Sequence, residues 1–420
     1  MKTVALSKSK MLFAEYLESF TLNSQKNLFG EFESKTAKDF TEIKGEIFPR
    51  FTNEYWTAKQ RQANSLHEIS YRACFKAQLP RFFIELLTNK NDIVYDPFAG
   101  RGTTIIEAAL LERQVVANDI NPLSKILCQP RLKIPSLNEI KQRLSEIPLD
   151  ENAKAEIDLA MFFHSQTEAE IVSLKKYLEK KQQNKDEDFI DAWIRMVATN
   201  RLTGHSSGFF SVYTLPPNQA VSPKRQAKIN EQRKQIPSYR DTKKIILRKS
   251  ALLTKDLSEK QKENLSAIAK GSLFLTSDAR FTNQIPSNLV KLTVTSPPFL
   301  DVVQYSDDNW LRCWFNSIDV KNVEITMAKT IDKWCDVMSD VFRELYRITL
   351  QSGFVAFEVG EVKNGKIKLD EYVVTLGETA GFKCEGIVIN QQEFTKTSNI
   401  WGVKNNDKGT NTNRIVIFSK

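Results

Sequence analysis

Two short stretches of the 420-residue chain hold residue types spaced for chemistry on a bound small molecule. The first, Asp96-Pro97-Phe98-Ala99-Gly100-Arg101-Gly102-Thr103-Thr104, follows the β-type run Ile93-Val94-Tyr95 and leads into the helical stretch IIEAALLER. Gly100 and Gly102 carry no Cβ, so the backbone can turn tightly and approach a ligand closely. A second apolar run, 114–117, ends in Asn118-Asp119-Ile120-Asn121-Pro122. Open α/β sheets bind ligands beyond the carboxyl ends of their strands, where an acid after the second strand accepts hydrogen bonds from a ribose diol. Asp119 stands at that place. The loop has neither the third glycine of a dinucleotide fingerprint nor the Gly-Lys-Ser/Thr of a triphosphate loop, which lowers both of those readings. A plain structural turn accounts for an isolated Gly-x-Gly equally well.

The second stretch is Thr295-Ser296-Pro297-Pro298-Phe299, at the end of the β-branched run LVKLTVT. A proline pair removes backbone donors and leaves carbonyl acceptors, while Phe299 offers a flat face. An exocyclic amine on a planar base fits this set. Its two hydrogens would go to the Ser296 side chain and the Pro297 carbonyl, turning the nitrogen lone pair toward an incoming electrophile. The alternative is a strand end with a packed phenylalanine. Tyr305, Asp308 and Trp310 follow closely, either lining such a pocket or packing a helix against the sheet.

The elements around these stretches alternate in the manner of a parallel doubly wound sheet. Strand, glycine loop, helix and strand open the pattern at 91–122, and SLFLTSDAR resumes it near Gly271. The segment 332–349 has the period of an amphipathic helix ended by Gly353, then 354–359 reads as a buried strand. A helix over 369–380 and strands near 387–390 and 414–418 close the sheet.

DPFAGRGTT, ANDINP, TSDAR and TSPPF, in this order, resemble the amino-methyltransferase family that modifies cytosine N4 or adenine N6 in DNA. The resemblance covers about 65–130 and 271–420. It implies an α/β fold, the Rossmann-like class I methyltransferase type with a mixed seven-stranded sheet, and S-adenosylmethionine as cofactor. The first loop, Asp96 to Thr103, would hold the methionine part of that cofactor. Asp119, with Ile120 beside it, would take the ribose, and Asp278 with Ala279 the adenine. Phe75 and Pro80, in a stretch like the family's cofactor-flanking helix, are implied as well, although a buried helix explains them too. The catalytic residues would be Ser296, Pro297, Pro298 and Phe299. Serine at the first position favours cytosine N4, with adenine N6 the alternative. Carbon-5 methylation needs a cysteine nucleophile, usually after a proline, and no cysteine here follows one.

The stretch 132–270 has a different character, and we expect a largely helical, basic insertion there. Over 224–249 there are ten Lys or Arg against Glu231 and Asp241. Lys224, Arg225, Lys228, Arg233 and Arg240 are the expected contacts to double-stranded DNA, with Phe209, Phe210 and Tyr213 as adjacent aromatics. A solvated helix face is the competing reading of such a run. The loop 401–414, WGVKNNDKGTNTNR, is a second candidate for touching the target strand. The expected organisation is an extension at 1–62, a first core part at 63–131 with the cofactor site, the insertion as target-recognition module at 132–270, and a second core part at 271–420 with the catalytic motif.

Composition agrees with a globular protein. The chain is 41% hydrophobic and 26% charged, with a formal net charge of +9, which suits an anionic partner. No apolar run approaches the roughly 20 residues of a membrane span, and the amino terminus lacks a signal-peptide core, so cytoplasmic residence is expected. Five scattered cysteines without CxxC spacing and three histidines argue against a disulfide framework or a metal site. The resemblance thus implies a site-specific DNA methyltransferase acting on a flipped-out base, of the restriction-modification kind, in which a companion endonuclease is a further partner. An RNA methyltransferase on the same core, or a binding protein with a decayed core, are the rivals.

Overall fold

The computed structural model describes residues 13–21, 35–56, 63–72, 74–215, 221–298, 305–319, 323, 328, 330–362, 367–391 and 412–420. Two strands precede the glycine loop, β1 (Ala37–Ile43) and β2 (Glu46–Asn53). They form an antiparallel hairpin turned at Lys44 and Gly45, whose φ angles are 54° and 86°. Positive φ at both central residues is the hairpin geometry that matches strand twist. Then come β3 (Ile93–Asp96), β4 (Gln114–Asn118), β5 (Leu273–Leu275), β6 (Val290–Thr295) and β7 (Thr349–Val359). A two-stranded pair, β8 (Glu361–Val362) with β9 (Ile367–Lys368), leads to β10 (Lys383–Gln391) and β11 (Thr412–Ser419).

The main sheet runs β1-β2-β10-β11-β7-β6-β3-β4-β5. Its five strands from β7 to β5 are parallel, and β11 is antiparallel to both β7 and β10. The class expected from sequence therefore holds, with nine strands where seven were expected. The two extra are the hairpin, which docks β2 parallel to β10. Its signal, the alternation in AKDFTEI and EIFPRFTN around Lys-Gly, lay in the segment read as a mere extension.

Strand alternation sends successive side chains to opposite faces. Val94, Val294, Ala356, Ile415 and Ile417 belong to one buried cluster, while Tyr95, Val355, Phe357, Val416 and Phe418 belong to the other. On the second face Phe342 meets Phe357 and Phe418 at ring distances of 4.8 and 5.5 Å. Each such pair adds about 0.5–1.5 kcal/mol beyond its burial. The helix that supplies Phe342, Ile331–Ile348, ends at Thr349, and Gly353 lies inside β7 rather than at the helix end. A Cβ at Gly353 would sit 3.0 Å from the Val290 carbonyl, where the β6–β7 register shifts. The glycine permits that close approach.

Between β4 and β5 the chain is helical, with Leu137–Glu146, Ser165–Gln183, Phe189–Arg201, Pro223–Arg233, Thr242–Thr254 and Glu259–Ala269. Ser136, Asp188, Ser222, Asp241 and Ser258 cap five of them, each accepting from a backbone N–H of the first turn. Trp193, Ile194, Val197 and Phe210 fall in the same buried cluster as Val94 and Ile105. The helical segment shares the sheet's core.

Candidate active site

Strand β3 delivers Asp96 to the end of the sheet, and the loop after it turns on two left-handed residues, Gly100 (φ 51°) and Gly102 (φ 78°). Their duties differ. A Cβ at Gly102 would lie 1.7 Å from Cys128 Sγ, whereas one at Gly100 would meet the Tyr71 ring at an ordinary 3.6 Å. Gly102 therefore serves packing beneath the loop, and Gly100 leaves room beside it. Gly102 is also the N-cap of the helix Thr103–Leu110.

The loop is braced from below. Arg131, fully buried, donates to the carbonyls of Leu127 (2.9 Å), Leu66 (3.0 Å) and Arg101. Arg101 in turn donates to the Ile69 carbonyl at 2.9 Å. From above, the Gly100 N–H donates to Asp119 Oδ2 at 2.8 Å and the Asn121 N–H to Asp119 Oδ1 at 2.9 Å. Among the described residues each Asp119 oxygen thus accepts one backbone donor and keeps a second lone pair.

Asp96 is 1% exposed. Its Oδ1 accepts from Thr295 Oγ1 at 2.6 Å and from the Phe98 N–H at 3.1 Å. Burial, against the pull of those donors, pushes the Asp96 carboxyl up to about 7, and burial pushes Asp119 up to about 6. The negative charge of Asp119 also raises Asp96. Among the described residues no cationic side chain is hydrogen-bonded to either carboxyl.

Ser296 and Pro297 continue from β6, the strand next to β3. The Thr295 bond to Asp96, and a 3.0 Å bond from Thr104 Oγ1 to the Val294 carbonyl, tie this strand end to the glycine loop. Ser296 is half-buried and Pro297 buried. The Pro298 carbonyl accepts from Trp334 Nε1 at 3.1 Å, whereas among the described residues no side chain donates to the Pro297 carbonyl. Phe299 and 401–411 lie outside the described residues, as do the side chain of Tyr305 and 299–304.

The remaining expected residues take varied positions. Asn118 joins β4 to the TSDAR segment, its amide bonding both the Ser277 carbonyl (2.9 Å) and the Ser277 N–H (3.1 Å). Asp278 is held by Arg280, whose Nη2 lies 2.6 Å from Oδ2, and this partner lowers its carboxyl below the usual range. Ala279, Pro80 and Thr103 are buried, while Phe75, Phe98 and Ile120 are half-buried. Asp308 pairs with Arg72 at 2.7 Å, and the Trp310 indole donates to the Val221 carbonyl at 3.2 Å. The helix Tyr305–Phe315 is thereby packed between the core and the helical segment.

Of the basic run, Lys224, Arg225 and Lys228 are exposed on one helix, and Arg233 lies 3.8 Å over the Tyr213 ring. Arg240 is half-buried against the helix Ser165–Gln183, its N–H on Thr167 Oγ1 at 2.8 Å. Phe209 and Phe210 are buried, 5% and 0% exposed, so these aromatics are core residues. Sequence reasoning missed Arg131, Trp334 and the bond from Thr295 to Asp96. A lone arginine in the apolar stretch LCQPRLKIP was the one available signal.

A family model described as DNA methylase matches residues 14–125, just over a quarter of the chain. The type II methyltransferase M.BsoBI of Geobacillus stearothermophilus is 24% identical over 315 residues, covering 66% of this chain and 57% of that protein. The type II methyltransferase M.MjaII of Methanocaldococcus jannaschii is 25% identical over 91 residues, 21% of this chain and 17% of that protein. The chain thus spans about half the length of the first relative and a smaller part of the second. Over the matched residues the chain is similar to DNA methylases, as the family model and both relatives agree. Among solved structures, the rRNA methyltransferase aviRa of Streptomyces viridochromogenes overlays with TM-score 0.36 at 11% identity, covering 87% of this chain and 94% of that one.

S-adenosylmethionine is the cofactor that the resemblance to DNA methylases implies, and the residues present fit it. It carries a sulfonium and an ammonium, and two neighbouring carboxyls raised by burial want a cation. The opening beside Gly100 and the free lone pairs of Asp119 suit its amino-acid end and ribose hydroxyls.

Proposed function

We propose that this chain methylates the exocyclic amino group of a base in DNA, cytosine N4 before adenine N6, at Ser296 and Pro297. The observation that carries the reading is the junction of β3 and β6. There the Thr295–Asp96 bond sets the amine-accepting pair directly beside the carboxyls that would hold the cofactor. When bound, S-adenosylmethionine supplies a methyl group on a positively charged sulfur.

Asp96 and Asp119 bind and orient the positively charged molecule, and Gly100 keeps its path open. Ser296 Oγ and the Pro297 carbonyl accept the two amine hydrogens and so aim the nitrogen lone pair. Positioning of this kind supplies most of the rate in a direct transfer that needs no covalent enzyme intermediate. A base inside a duplex is out of reach, so it must be swung out at a cost of a few kcal/mol. The exposed cations of the helix Pro223–Arg233 are set to hold phosphates.

The test is nucleoside mass spectrometry of duplex DNA incubated with the protein and S-adenosylmethionine. N4-methylcytosine is expected, and Ser296→Ala should lower the transfer rate about 100-fold or more with cofactor affinity nearly intact. N6-methyladenine would replace the base choice and keep the mechanism. Methyl found on carbon 5 of cytosine, or only in RNA, would overturn the reading.

A further inference from the structure

Strand β7 lies beside β6, with Phe357 opposite Thr295. One step further along, Glu358 stands beside Ser296 on the face that carries Val294, Ala356 and Ile415, an otherwise apolar face. A sequence selected for stability alone would place an aliphatic side chain there, because a buried carboxyl costs free energy unless it is well bonded. Glu358 is only 8% exposed. Its partners are few and specific. The Ser296 hydroxyl, next in register on β6, pulls the Glu358 carboxyl downward, and Asn413 Nδ2 at the start of β11 donates to Oε1 at 3.0 Å.

A serine hydroxyl has one proton and two lone pairs, and its rotor is free unless something fixes it. An ionised carboxylate can only accept. Ser296 therefore donates its proton to Glu358, which turns the lone pairs of Oγ away from Glu358 to receive a hydrogen of an incoming amine.

Resting on the function proposed above, we propose that Glu358 is a positioning residue that fixes Ser296 as a hydrogen-bond acceptor and takes the amine's surplus proton through it. As the nitrogen lone pair forms the new N–C bond, the carbon–sulfur bond breaks and its electron pair stays on sulfur. The nitrogen is left positive, with one proton too many. That proton passes to Ser296 Oγ while the hydroxyl's own proton passes to the Glu358 carboxylate, so the serine ends as it began. Asn413 holds the carboxylate in line for the exchange.

The surroundings leave Glu358 to titrate on its own account. Among the described residues β6 offers it the Ser296 hydroxyl, and β11 offers Asn413 and Ile415. Arg414 points to the other face and bonds Asp370 at 2.8 Å. On β3, Asp96 is engaged by Thr295 and the Phe98 N–H. Burial holds the Glu358 carboxyl above its ordinary range, and the Ser296 and Asn413 hydrogen bonds pull it back down.

The experiment compares the wild-type protein with Glu358→Gln and Asn413→Ala. It measures single-turnover methyl transfer to an unpaired cytosine in a DNA mismatch, with cofactor and DNA saturating, across pH 5 to 9. The wild-type rate should rise with pH through a midpoint above the usual glutamate range. Glu358→Gln keeps an acceptor for Ser296 but cannot take a proton, so its rate should drop about 100-fold and lose that rise. Asn413→Ala should move the midpoint upward. Infrared difference spectra of the protein without cofactor or DNA give a second readout. A protonated-carboxyl band present in the wild type and absent in Glu358→Gln should titrate with the same midpoint, and Ser296→Ala should shift it upward.

A Glu358→Gln protein with the wild-type rate and pH profile overturns the inference while leaving the proposed function intact. Should that variant fail to fold, an unmoved midpoint in Asn413→Ala together with an infrared band indifferent to Ser296→Ala overturns it. A wild-type protein that methylates no DNA removes the proposed function and this inference with it.

Discussion

Asp96 and Asp119 share one end of the sheet, both raised by burial, with no cationic side chain bonded to either among the described residues. Two consequences follow, of opposite sign. In the unliganded protein the folded state holds protons that the unfolded chain releases near 3.8. Stability contributed by these protons is present at acid pH and is lost as pH rises through about 6 and 7. Between those limits the slope approaches about 1.4 kcal/mol per pH unit for each fully perturbed carboxyl. Asp96→Asn should flatten the slope and raise the melting temperature at pH 8, and thermal melts from pH 5 to 8 measure both. Binding of a cationic cofactor favours the ionised pair, so affinity should rise over the same interval and protons should be released. Calorimetry in buffers of different ionisation enthalpy reads that release directly. An affinity that is level from pH 5 to 8, with no proton exchanged, would remove these carboxyls from the cofactor site.

At the scale of elements, the two loop glycines separate what one motif presents as a single feature. Gly102→Ala drives a Cβ into Cys128 under the helix Thr103–Leu110, so we expect the melting temperature to fall steeply, with a cost of about 3 kcal/mol or more. Gly100→Ala meets only ordinary contacts, and its strain comes from φ 51° alone, about 1 kcal/mol. That variant should fold and bind cofactor less well, a distinction that melts and calorimetry on the two proteins will draw. The sequence carried the position of these glycines but not what lies beneath them, because Cys128 and Arg131 arrive through tertiary packing. Helices behaved likewise. Those at Ile331–Ile348 and Leu369–Thr379 were legible from period alone, since one apolar stripe faces one sheet. Gly353 misled because a glycine after a helical run usually ends it, while here it lets β7 pass close to β6. Phe209 and Phe210 misled because they lie near a charged run in sequence, whereas burial depends on the helices that close over them. Glu358 was invisible for the same reason. Its meaning appears only when β7 is laid against Ser296.

At the scale of the whole molecule, the net charge of +9 becomes informative once the cations are sorted by what they do in the fold. Many are structural. Arg131 braces the glycine loop, Arg113 bonds Thr88, and Arg195 pairs with Glu187 at 2.7 Å. Lys224, Arg225 and Lys228 differ, being exposed on a single helix and in no ion pair among the described residues. Arg233 is stacked on Tyr213, while Arg240 is half-buried against its neighbours. If the helix lies along the phosphate backbone, each of these three exposed cations releases about 0.9 counterions, so the triple glutamine variant should lower the log–log salt slope of DNA affinity by about 2.7. Because the helical segment shares its core with the sheet, the exchange of exposed side chains on that helix should leave the melting temperature within about a degree or two. Arg240→Gln should do the reverse, changing stability more than slope, since its place is a packing place. Fluorescence anisotropy with duplex DNA from 50 to 300 mM salt resolves these outcomes. A triple variant with the parent's slope would make this helix a solvated face and move the DNA contact elsewhere on the protein.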